Sequence, residues 1–221
     1  MKMTDMIIAL GITILVLIVE CTTASSQLID GPVAREHLER QVSALLYQEN
    51  FSELERMATD FRTNKSKFPD GTSKLRYYYG VFSAPKSSTL EGWKRFFAKL
   101  DAWLQKYPKS ITARVAAAEA WIGYGAEARG SGFADTVTEE GWRLLHQRME
   151  KAYSLLAKKP KRPSDDCPHR YDLLLIIAQY QGWTRPQYEA LFHEAITFDP
   201  SYQVINVNYY SRPTTIIIPV S

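Results

Sequence analysis

An all-α fold of antiparallel helix pairs is predicted by three observations. Apolar residues recur at helical spacing across most of residues 33–200. Helix starts of the capping-box type come at Ser52-Glu-Leu-Glu55, Ser88-Thr-Leu-Glu91 and Thr184-Arg-Pro-Gln187. Ser110–Arg129 has almost no polar face, and a helix that is apolar all round is normally buried. These signals predict about four pairs, with Ser110–Arg129 at their centre.

The chain has 221 residues, room for one domain of ordinary size after any export signal. Its 45% hydrophobic and 23% charged residues are those of a globular protein, which argues against general disorder. A formal charge of +3 gives no global case for nucleic acid as a partner.

Lys2 precedes the apolar run Ile7–Val19, and small residues come after it at Thr22-Thr-Ala-Ser-Ser26. That order matches a secretory signal peptide, and the run is short of the ~20 residues a bilayer requires. Residues 1–26 are therefore expected to be a signal, cleaved after Ala24 or Ser26, which would place the protein in the periplasm or outside the cell. Two alternatives use the same residues. The segment 6–19 could stay as a membrane anchor, or Cys21 could carry lipid, although Glu20 stands where that chemistry favours a small residue. Removing Lys2, Asp5 and Glu20 loses one positive and two negative charges and leaves +4. Cys167 is then the single cysteine, set between Asp166 and Pro168 in an expected loop and read as incidental.

Residues 27–202 are expected to form one all-helical domain. Pro32 suits a first helical turn, and Val33, His37, Leu38, Val42, Leu45 and Leu46 mark the first apolar face. Leu54, Met57, Ala58 and Phe61 carry the second, with Arg62, Lys65 and Lys67 complementing its C-terminal dipole. Pro69-Asp-Gly71 is a turn. Leu75–Phe82 is ambiguous by local preference, because three tyrosines suit a strand equally well; its neighbours make it helical, with the tyrosines in the core. Trp93, Phe96, Phe97, Leu100 and Leu104 line the next helix.

On the central helix the expected inner stripe is Ile111, Val115, Ala118, Ile122 and Ala126. Gly130-Ser-Gly132 then turns the chain, and Asp135 or Thr136 is placed to cap the next helix. Trp142, Leu145, Met149, Tyr153 and Leu156 belong to that helix, and Lys158-Lys-Pro-Lys-Arg-Pro163 reads as a solvated loop. Leu173–Ala178 is a buried helix too short to span a membrane, and Tyr188, Leu191, Phe192, Ala195 and Ile196 form the last inner face. Residues 203–221 change character and are treated as a divergent tail.

Two resemblances attach to these residues. Ala195-Ile-Thr-Phe-Asp-Pro-Ser-Tyr202 is similar to the close of a tetratricopeptide-type repeat, without a strict 34-residue period. Pro108–Arg114, Ala118-Glu-Ala-Trp121, Ala128-Arg-Gly-Ser-Gly-Phe-Ala-Asp-Thr-Val137 and Gln181-Gly-Trp183 resemble a bacterial family known as domain-of-unknown-function family 4034, over roughly Leu45–Tyr202. The resemblance implies helix pairs stacked as a tetratricopeptide-like superhelical array, and it brings no activity. Arg212-Pro-Thr-Thr departs from the Pro-Arg-Trp-type continuation of such proteins.

Chemistry gathers only around the central turn, at Glu119, Arg129, Ser131, Asp135 and His146. As a site, Glu119 and His146 would serve as acid and base and Arg129 would hold an anion. As structure, Glu119 would pair with an arginine across a helix interface, Asp135 would cap and His146 would be a satisfied core histidine; this second reading is the favoured one. No catalytic residue is assigned. The four histidines show no metal-binding spacing, and neither phosphate loop, dinucleotide fingerprint nor nucleophile elbow is present, so no metal or cofactor is implied. Two functions remain open: an interaction protein whose helices form a groove for a peptide or protein partner, or an enzyme or small-ligand binder at the central turn.

Overall fold

The computed structural model describes residues 31–202, the side chain of residue 163 excepted. The expectations for residues 1–26 and 203–221 lie outside the described residues. Among those described there are eight α-helices and no strand: α1 (31–47), α2 (Phe51–Thr63), α3 (Lys74–Gly80), α4 (Leu90–Lys106), α5 (Ile111–Arg129), α6 (Glu139–Leu156), α7 (Pro168–Tyr180) and α8 (Arg185–Phe198). None of them is long and apolar enough to cross a membrane.

Side-chain caps set most of the helix starts, satisfying backbone N–H groups that have no partner within the helix. Ser110 accepts from the Ala113 N–H at α5, and Thr138 from the Gly141 N–H at α6. At α8 the Gln187 side chain reaches back to the Thr184 N–H at 2.9 Å. Two expected starts move. Asn50, not Ser52, caps α2, and Thr89, not Ser88, caps α4. Glu55 is free of the cap because it accepts from the Trp103 indole N–H at 2.9 Å and the Ser110 hydroxyl at 2.5 Å. Neither Asp135 nor Thr136 caps α6; both stand in a 3-10 turn, Ala134–Thr136, ahead of it.

The helix expected at Leu75–Phe82 forms, as α3 and a 3-10 turn over Val81–Ser83. Tyr78 and Tyr79 are fully buried, and the Tyr78 hydroxyl donates to the Leu54 carbonyl at 2.9 Å. Aromatic neighbours hold the Tyr78 ring in the core, with Phe82 at 5.5 Å and Phe61 at 6.2 Å between centroids.

α5 is the hub of the core. Ile111, Val115, Ala118 and Ile122 are buried as the spacing predicts, but Ala126 is exposed because the last turn of α5 runs out of the core toward Gly130. α5 packs on α4 and α6 and also touches α2, α3 and α7. Contacts of α5 with α3 and α7 suit stacked pairs, whereas α2–α5 and α3–α7 contacts skip a pair, which a strictly one-dimensional stack would not contain. Close approach requires Gly123: a Cβ there would stand 1.7 Å from the Ser83 carbonyl oxygen. In α1, Leu38, Val42 and Leu46 reach the core, but Val33 and His37 are exposed because they lie on the outer face of the helix, while Ala34 and Arg35 between them pack on the domain.

Candidate functional site

Polar chemistry concentrates in a place the sequence did not mark. α7 begins with Pro168, whose missing N–H is harmless in a first turn, and this puts His169 and Asp172 on its inner face. His169 is buried, with Nε2 2.8 Å from Glu119 on α5 and Nδ1 2.8 Å from the Tyr202 hydroxyl. Asp172 lies 3.6 Å from the same Nδ1. The ring stacks on Tyr79 at 4.8 Å between centroids. A neutral imidazole here donates from Nε2 to the Glu119 carboxylate and accepts the Tyr202 proton at Nδ1, so both nitrogens are satisfied.

Beside this cluster, buried Arg170 donates to the Leu156 carbonyl at 2.8 Å and to Asp166 at 3.2 Å. Burial pushes the Tyr79 and Tyr202 hydroxyls well above their ordinary range and raises the Cys167 thiol. Cys167 lies in the connection before α7, as the sequence suggests, but it is not exposed. It is fully buried at the start of α7, its sulfur 3.6 Å from the Tyr79 hydroxyl. The arrangement joins α3, α5, α7 and the segment after α8.

The five residues singled out around the central turn are placed apart. Glu119 turns inward to His169, in place of the arginine expected from the sequence. Arg129 is half-buried over Trp142, 5.4 Å from the ring centroid, and donates to the Gly130 and Gly132 carbonyls at 3.0 and 3.1 Å. Ser131 and Asp135 are exposed. His146 tilts against Trp142 at 6.1 Å, and its buried Nε2 has no hydrogen-bond partner among the described residues, so it is not the satisfied core histidine of the sequence expectation. No hydrogen bond or ion pair joins any two of the five. Among the described residues no group of His, Cys, Asp or Glu could hold a metal ion.

A second feature lies on the surface. α1, the 3-10 turn after α3, and α4 enclose a cleft of about 340 Å³. Its lining is mostly apolar, with Tyr47, Val81 and Ala84 over buried Leu46 and Phe96, and it includes the charged residues Glu39, Arg40 and Lys86. Its size falls at the low end of the range of ligand pockets. Burial raises the Tyr47 hydroxyl at its wall, opposed by Arg95. Nothing periodic announces this cleft, because its residues come from three separate segments. The Glu119–His169 tie had one readable signal, an acid on a buried stripe that demands a partner.

Fold and site together define an all-α protein with a buried polar lock and a separate open cleft. Residues 39–159, just over half of the chain, match the family described as "Domain of unknown function (DUF4034)", and the chain belongs to that family. The match includes the cleft, α5 and the glycine turn; His169, Tyr202 and Gln181-Gly-Trp183 lie beyond it. No curated protein and no solved structure shows significant similarity to the chain.

Proposed function

We propose that the protein is an exported interaction module whose cleft between α1, the turn after α3, and α4 takes an apolar side chain of a protein partner. The observation that carries this reading is the cleft itself, a mostly apolar hollow of about 340 Å³ that also carries Glu39, Arg40 and Lys86. The dispersal of Glu119, Arg129, Asp135 and His146 into ties, turns and helix contacts supports docking over chemistry. Stacked helix pairs in the tetratricopeptide manner would present such a hollow on a rigid support.

A photoreactive side chain at Ser43 tests the cleft directly. It should cross-link to a partner protein in the native host, and filling the cleft with Ala84→Trp should remove the cross-link; Ala84 is exposed and its backbone is extended, so the fold accepts the ring. An unchanged cross-link in Ala84→Trp would refute docking there. Export rests on the short apolar run and the small residues after it. Mass spectrometry of the mature chain should find a new N-terminus between Ser25 and Gln27, and an intact Met1 or a lipid on Cys21 would overturn it.

A further inference from the structure

We infer that the cleft's occupant is Phe133 from a second copy of this chain, so that the protein associates knob into hole. This rests on the reading of the cleft as a docking site.

Phe133 is 84% exposed, the most exposed large apolar side chain among those described. Its presentation is built in. Gly130 takes a φ of 74°, a conformation that favours glycine, and turns the chain sharply out of α5. Arg129 ties the Gly130 and Gly132 carbonyls from below. From the other side, the Thr136 hydroxyl and N–H both donate to the Phe133 carbonyl, at 2.8 and 3.0 Å. A Cβ at residue 132 would fall 2.3 Å from the Thr136 hydroxyl oxygen, so a side chain there would displace that hydroxyl from the Phe133 carbonyl. Val33 and Leu90, the other large apolar side chains exposed among the described residues, sit on ordinary helices and have no such support.

A turn fixed by its own hydrogen bonds loses little freedom on binding, and a phenyl ring held in water gains by leaving it. Its complement must be an apolar hollow, and this chain carries one. Charge agrees. Asp135, two residues beyond the ring, and Lys86, in the cleft lining, are both exposed, and neither has a hydrogen bond or ion pair among the described residues. Of the other charged lining residues Glu39 is acidic and Arg40 is paired with Glu36 at 3.0 Å, so Lys86 is the cation that suits Asp135. Because knob and hole are different patches, each copy offers both. The contact propagates head to tail or, where geometry permits, closes on itself.

Sedimentation velocity on the full chain tests this with four samples: the parent, Phe133→Ser, Ala84→Trp, and an equimolar mixture of the two variants. The parent should associate with rising concentration. Each variant alone should associate at least about tenfold more weakly, the loss expected when one anchor is removed. Their mixture should recover a heterodimer, since Phe133→Ser keeps a hole and Ala84→Trp keeps a knob. A parent that stays monomeric, a Phe133→Ser chain that associates like the parent, or a mixture without recovery overturns the inference. If it falls while Ala84→Trp still removes the Ser43 cross-link, the cleft docks a foreign partner. If that cross-link persists, the docking reading falls with it.

Discussion

α5 leads into two regions that treat polar groups in opposite ways. Midway along it, Glu119 enters an enclosed network in which His169, Asp172 and Tyr202 are all buried. At its end, the turn after Arg129 satisfies its own carbonyls and leaves Phe133 and Asp135 in water. Residues with catalytic-looking chemistry hold helices together, and the residue with no chemistry is the one displayed.

That contrast can be broken by mutation. The largest effect is expected from Arg170→Ala, which strands buried Asp166 and should destabilise the domain by about 3–5 kcal/mol in urea melts. His169→Ala comes next at about 3 kcal/mol, because it leaves Glu119 and Asp172 facing a small cavity. A loss below about 1 kcal/mol in either would show that the network is no lock.

In the turn the numbers should be smaller. Arg129→Ala removes two bonds to carbonyls of exposed residues, not a buried ion pair, and should cost about 1 kcal/mol or less. Asp70 sharpens the comparison by titration. Hydrogen bonds from Thr72, with Arg35 beside it, lower its carboxyl to about 2 from an ordinary 3.8. A folded pKa below the unfolded one contributes stability above pH ~4 that is lost as the pH falls through about 2. Asp70→Asn should flatten the acid limb of the stability profile by modestly lowering stability at neutral pH, and should leave stability below about pH 2 little changed. Phe133→Ser should be the mildest of all, within about 0.5 kcal/mol of the parent in stability, because its ring touches water in either state. A marked loss there would make the ring structural and erase the contrast between the two regions.

Sequence alone determined the all-α class, the family and most inner faces, because amphipathic spacing and capping chemistry are local, period-3.6 signals. Leu54, Leu100, Leu145 and Leu156 lie buried where the spacing places them. Local signals are also where small errors entered: Ser52 and Ser88 look like caps, yet Asn50 and Thr89 accept the N–H bonds one or two residues away. Only the tertiary structure decided the rest. His169 meets Glu119 across 50 positions and Tyr202 across 33, and the cleft draws on three segments of the chain. Pairings at that distance depend on how helices cross, and crossing depends on the fit of whole faces, which no window of neighbouring residues encodes.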